Sequence, residues 1–131
     1  MLRTPDLSLG DLEKEVLDCL WAEGPSSPAQ VHAVVGEKRG VTVNTVCSSL
    51  KRLVEKGLLT REKVSHSYVY QAAVTRSELQ RQLIGAITEQ FGEQGGTGFL
   101  AAFVDLAEER GQAALKSLEA MIADRLRRDD A

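Results

Sequence analysis

The sequence predicts a mainly α-helical chain with one small β-hairpin, and three observations carry that prediction. Apolar residues recur at spacings of three and four along most of the chain. Ser and Thr caps precede these stretches, and glycines follow several of them. Near the middle, two short β-prone runs, 58–64 and 68–72, flank the polar Ser65-His66-Ser67. The 131 residues suit one domain, or one small domain with an oligomerising extension, burying roughly two thirds of the unfolded chain's surface.

The first helix is expected from Ser8, which stands three residues ahead of Asp11 like an acidic capping box. Leu12, Val16, Leu17, Leu20 and Trp21 then form one apolar stripe, with Glu13, Lys14 and Asp18 facing away, until Gly24-Pro25 ends it. A short second helix starts at Ser27-Pro28, with proline in the first helical position and Gln30 completing a capping box. Val31, Val34 and Val35 supply its buried face. Gly36 weakens its end and Gly40 lies in the turn that follows.

Thr42 caps a third helix running to about Lys56, with Gly57 as a left-handed stop. At 100° per residue, Val46, Leu50, Leu53 and Val54 share one arc. Asn44, Ser48, Lys51 and Glu55 occupy the opposite one, flanked by Thr45 and Arg52. Small hydroxyl and amide groups mixed with cations suit a helix that enters a major groove and reaches base edges. Arg61, Lys63 and His66 make the hairpin tip positive. Three helices and a basic hairpin follow the order of a winged helix-turn-helix, in which the third helix reads bases and the wing meets the backbone. On this reading Asn44, Thr45, Ser48 and Arg52 make base and near-base contacts, Lys51, Arg61 and Lys63 meet phosphates, and Thr42 and His66 complete the expected DNA-binding set.

Charge supports the same placement. The net charge of −3 divides into −5 over residues 1–37, +5 over 38–67 and −3 beyond. A basic island inside an acidic chain is an electrostatic footprint for a polyanion, although a solvated charged face would give the same arithmetic.

Beyond residue 75 the character changes, so the domains are expected at 1–75 and 76–131. Thr75 and Glu78 form a capping box for a helix to about Phe91, with Leu79, Leu83, Ile84, Ile87 and Phe91 on one side. Residues 92–98 hold four glycines and are expected to be a loop. No strand precedes them and no Lys-Ser/Thr follows, so they do not read as a phosphate cradle. Thr97 opens a helix with Phe99, Leu100, Phe103, Val104 and Leu106. A last helix carries Leu115, Leu118, Met121, Ile122 and Leu126 before the charged tail at 127–130. These stripes exceed what one chain covers, which favours a homodimer through residues 76–126; packing back on the winged domain is the alternative. The expected dimer contacts are Leu83, Ile87, Phe91, Phe99, Leu100, Phe103, Leu115, Leu118 and Ile122.

Three segments resemble the BlaI/MecI/CopY repressors, the penicillinase repressor family. Leu12-Glu13-Lys14-Glu15-Val16-Leu17, with Leu20-Trp21, is similar to their opening helix. Thr45-Val46 and Leu50-Lys51-Arg52-Leu53-Val54-Glu55-Lys56-Gly57-Leu58-Leu59 resemble their recognition helix and its exit, and Tyr68-Val69-Tyr70 their second wing strand. The resemblance spans roughly residues 8–126. It implies a homodimeric transcriptional repressor on palindromic double-stranded operator DNA. It also implies two routes to release. In β-lactam-responsive members a membrane sensor's protease signal leads to cleavage at an Asn-Phe bond in the dimerisation helix, and the corresponding bond here is Ala102-Phe103. Phe103 reads equally as a core anchor of the dimer. In copper-responsive members a C-terminal cysteine cluster senses metal, and no cysteine follows Cys47 here. The familiar members carry Lys and Arg where this chain has Asn44 and Cys47, and Thr where it has Ser48, so its operator is expected to differ.

Several classes are disfavoured. No apolar run approaches the roughly 18 residues of a membrane span, and residues 1–10 lack a signal layout, so a cytoplasmic protein without membrane insertion is expected. Cys19 and Cys47 are too few for a disulfide framework, and with only His32 and His66 beside them neither a metal site within one chain nor a cofactor is expected. Both thiols read as buried spacers. The competing reading is a redox or metal input, Cys47 bordering the outward face and a dimer's four cysteines leaving a shared site open. No nucleophile, base or carboxylate pair suggests an enzyme. A winged protein-interaction adaptor without DNA binding is the remaining rival.

Overall fold

A computed structural model of the chain describes residues 9–91 and 97–130. Its contacts divide it at Ala86 and Ile87 into two compact units. The first unit contains α1 (Asp11–Glu23), α2 (Pro28–Val31), a π turn (His32–Gly36), α3 (Glu37–Arg39), α4 (Val43–Glu55), β1 (Leu59–Val64) and β2 (Ser67–Ala72). Helix α5 (Arg76–Phe91) begins in it. The second unit contains α6 (Thr97–Glu109) and α7 (Gln112–Asp129).

The predicted caps are largely present. Ser27 accepts from the Gln30 backbone N–H while the Gln30 side chain accepts from Ser27, a complete capping box with Pro28 behind it. Thr42 accepts from the backbone N–H of Thr45 at 3.2 Å, and Thr75 and Glu78 satisfy each other at the start of α5. The end of α4 is a Schellman motif: Leu58 N–H reaches Leu53 O, Gly57 N–H reaches Val54 O, and Gly57 has φ 81°. The start of α1 differs from expectation. Gly10 occupies its N-cap with no side-chain cap, and Ser8 lies outside the described residues. Of the expected glycine loop, residues 92–96 lie outside them too, while Gly98 already belongs to α6.

The core of the first unit is built from Val16, Leu17 and Leu20 of α1, Val31 and Val35, Val46, Leu50 and Leu53 of α4, and Leu58, Leu59 and Tyr70 around the hairpin. Each fully buried aliphatic side chain contributes roughly 1.5–3 kcal/mol. Val34, expected in the core, is 45% exposed. The π turn explains this, because its i→i+5 bonding widens the helix and leaves Val35 to continue the face of Val31. Leu79 of α5 is buried in the same core and Leu83 packs against it.

β1 and β2 pair antiparallel from Leu59–Ala72 out to Val64–Ser67, so the connecting turn is the two residues Ser65 and His66. Ser65 has φ 60° and is the only described non-glycine with positive φ. Ser26 and Tyr70 exchange both backbone hydrogen bonds, at 2.9 and 2.8 Å, which adds a single-residue third strand to the sheet.

Helix α1 organises the first unit by charge as well as by packing. Glu13 meets Lys56 at 2.8 Å and Arg52 at 3.7 Å, Glu15 meets Arg39 at 2.8 Å, and Asp18 meets Arg76 at 2.9 Å. The Trp21 indole donates to Val74 O at 2.9 Å, with the Arg76 guanidinium over its ring. Glu13 is therefore not on the solvent side, as expected from its charge, but buried.

In the second unit α6 packs on α7, with the rings of Phe99 and Phe103 6.2 Å apart. Leu100, Phe103, Val104, Leu106, Met121, Ile122 and Leu126 remain exposed, as does Ile87. Among the described residues no helix is long and apolar enough to cross a membrane.

Candidate nucleic-acid interface

The outward face of α4 is what the 100° spacing predicts. Asn44, Thr45, Ser48, Lys51, Arg52 and Glu55 are exposed, whereas Val46, Ser49, Leu50 and Leu53 are buried. Local hydrogen bonds set the small polar groups. The Thr42 and Thr45 hydroxyls lie 3.1 Å apart, and the Ser48 hydroxyl donates to Asn44 O at 3.1 Å. The latter bond leaves the Asn44 amide side chain on the surface at the first turn of the helix. Recognition helices address base edges from that end.

Arg52 is placed differently from its neighbours. Its Nη2 donates to the Ser49 hydroxyl at 3.2 Å and its Nε faces Glu13, although the side chain is still 51% exposed. The basic island is thus partly answered from within. Arg39, Arg52 and Lys56 have carboxylate partners on α1. Among the described residues Lys38, Lys51, Arg61 and Lys63 are the island's cations outside these ion pairs.

Pleating puts Arg61 and Lys63 of β1 on the face of the hairpin that begins at buried Leu59, directly opposite Tyr70 and Tyr68. Tyr70 is buried at the base, 6.4 Å from Tyr68 nearer the tip, and the Arg61 guanidinium lies 4.4 Å from the Tyr68 ring centroid. An arginine on an aromatic face keeps its charge while losing side-chain freedom. His66, at the tip, is exposed.

Of the two thiols, Cys19 is buried in the core and Cys47 is half-buried at the edge of the outward face. Burial, helped by Glu23, pushes the Cys19 thiol pKa upward. No cluster of metal-ligating side chains forms among the described residues. Leu83 packs on the winged unit's core; Leu115 and Leu118 are half-buried in α7, and Ala102 and Phe103 are exposed within α6. Nothing is described for the side chain of Phe91. The residue that sequence reasoning missed is Glu13. Its position was available, since it precedes Val16, Leu17 and Leu20 by three, four and seven residues and so shares their face.

The penicillinase repressor family model matches residues 9–124. The chain belongs to that family. It is 30% identical over 117 residues to the transcriptional regulator BlaI of two Mycobacterium tuberculosis strains, CDC 1551/Oshkosh and H37Rv, covering 88% of this chain and 83% of each relative. Among solved structures it is similar to a transcriptional regulator of Thermotoga maritima, with 24% identity, a TM-score of 0.47 and coverage of 77% and 75% of the two chains. It is also similar to a mutant of Lactococcus lactis ZitR in complex with DNA, with 14% identity, a TM-score of 0.45 and coverage of 98% and 80%. Its family and its BlaI relatives make the chain a transcriptional repressor rather than an enzyme, and its own helices followed by the β1–β2 hairpin have the winged-helix order.

Proposed function

We propose that this BlaI-family chain acts as a homodimer on a palindromic operator. In this reading α4 enters the major groove and the β1–β2 wing lies on the backbone. The observation that carries it is the exposed set of Asn44, Thr45, Ser48 and Lys51 on α4, a face of small polar and basic groups on which Val43 is the one exposed apolar side chain. Arg61 and Lys63 on the wing supply a second cationic contact, suited to phosphates. Exposed Leu100, Phe103 and Ile122 support dimerisation through the second unit, because isolated apolar stripes of this kind normally cover one another in two-fold pairs. Phe103 is then an interface anchor. Cutting at Ala102-Phe103 would split α6 and requires that helix to open first.

Sedimentation of the full chain at micromolar concentration tests the dimer, and band shifts with duplexes selected from a random pool test the DNA. A dimer that retains a two-fold symmetric sequence is the expected result. A monomer, or a pool that never converges, rejects the reading. Blotting the native cell for a fragment of about 100 residues under a β-lactam decides whether release is proteolytic; an intact repressor on a derepressed target excludes it.

A further inference from the structure

Glu13 is the only buried carboxylate among the described residues, and both of its oxygens are engaged by cations of the basic island. Oε2 lies 2.8 Å from Lys56 Nζ, and Oε1 lies 3.7 Å from Arg52 Nε. The Glu13 side chain is 10% exposed, so its charge is tolerable only because it is paired. Its partners sit at the far end of α4: Arg52 in the last turn and Lys56 at the C-cap that closes the Schellman motif. The Arg52 guanidinium is held on a second edge by the hydroxyl of fully buried Ser49, yet half of the side chain faces solvent.

This arrangement has two physical effects. It fixes how α4 stands on α1, through a charged contact at the end opposite the Thr42 cap. It also offsets part of the charge of cations that would otherwise add to the sequence-independent attraction for phosphates, and it gives Arg52 two partners, Glu13 and Ser49, that favour one orientation. We infer that Glu13 is a positioning residue for DNA recognition, setting the ratio of specific to non-specific binding through Arg52 and Lys56. The inference rests on the DNA-binding reading above and deepens it.

The test compares the full-length wild type with Glu13→Gln, using a duplex selected from a random pool by the wild type and a random-sequence duplex of equal length. Glu23→Gln, an equal change of charge outside the network, serves as the control. Glu13→Gln is expected to lower the ratio of the two affinities by about tenfold while the salt dependence of random-duplex binding steepens. Glu23→Gln is expected to leave the ratio in place. In an Arg52→Ala background the Glu13→Gln effect is expected to shrink to less than about threefold, since coupled residues are not additive. If Glu13→Gln fails to hold a cooperative thermal transition, Glu13→Asp replaces it; this keeps the charge, withdraws the carboxylate by one methylene and is expected to lower selected-duplex affinity alone. Affinities that fall together for both duplexes, or an undiminished effect without Arg52, mark Glu13 as structural only and overturn the inference. A wild type that selects no sequence removes the DNA-binding reading itself, and this inference with it.

Discussion

The His32 imidazole Nε2 lies 2.8 Å from the carbonyl oxygen of Val41, across the turn that precedes α4. A carbonyl only accepts, so the ring donates and Nε2 carries the proton. The ring lies over Gly36 inside the π turn, where an added Cβ would come within 2.2 Å of the His32 Cδ2. Gly36→Ala is therefore expected to displace the ring and cost about 1–3 kcal/mol in urea unfolding. In a His32→Ala background the same change is expected to cost nothing, or to gain up to about 1 kcal/mol from alanine's helix propensity. Equal costs in both backgrounds would disprove the clash.

Trp21 is the sole tryptophan, and its indole N–H donates to Val74 O at the approach to α5. Trp21→Phe keeps most of the apolar surface and deletes the donor. The expected loss is about 1 kcal/mol, read by circular dichroism because the fluorescent reporter is gone.

At the wing tip, Ser65 holds φ 60° as the first central residue of a two-residue turn. A left-handed conformation costs a side-chain-bearing residue roughly 1–2 kcal/mol, and glycine returns part of that as unfolded-state entropy. Ser65→Gly should therefore raise stability by about 0.5 kcal/mol, and Ser65→Val should lower it by more than about 1 kcal/mol. Thermal melts of the two variants moving in the same direction would contradict the turn geometry.

Under the proposed DNA-binding function, Lys63 and Asn44 are the residues that distinguish phosphate contact from base contact. Lys63→Ala is expected to weaken binding to all duplexes alike and to reduce the salt slope by about one. Asn44→Ala is expected to cost about 1–3 kcal/mol on the selected duplex only and to relax preference at one base pair. Selection repeated with each variant shows which positions of the site lose information.

The raised pKa of Cys19, caused by burial and then by Glu23, has a definite sign in stability. The folded state keeps a proton that the unfolded state releases. Stability from this group is thus complete below the ordinary thiol range and declines as pH rises through it toward the folded value. In native protein at neutral pH, half-buried Cys47 should react with a thiol reagent well before Cys19, whose labelling should require unfolding. Simultaneous labelling would show that α1 opens locally.

Most helices, three of the four expected caps and the wing were legible because each rests on local chemistry: an alcohol three residues before an acid or amide, a glycine after an apolar stripe, two β-prone runs around a polar turn; the start of α1, capped by Gly10, was not. The outward face of α4 was legible for the same reason, since exposure follows phase along one helix. What periodicity could not supply was partnership between distant elements. Glu13 has the phase of a core residue and the charge of a surface one. Only the fold, by bringing Lys56 beside it, decides between them. Val34 was misplaced because a π turn shifts phase without announcing itself in composition. Arg52 looked like its neighbours on a helical projection, and its engagement with α1 depends on a contact that no projection of one helix contains.

The exchange of backbone hydrogen bonds between Ser26 and Tyr70 makes two surface turns unequal as places to lengthen the chain. The Gly24-Pro25 stretch has the residues of a permissive loop. An extra residue there would slide Ser26 off Tyr70 and disturb the wing, some forty-five positions away in sequence. The Ser65-His66 tip carries no such obligation, because the ladder ends at Val64 and Ser67. A short epitope or reporter tag grafted at the tip should leave the fold intact, and the same tag beside Pro25 should not.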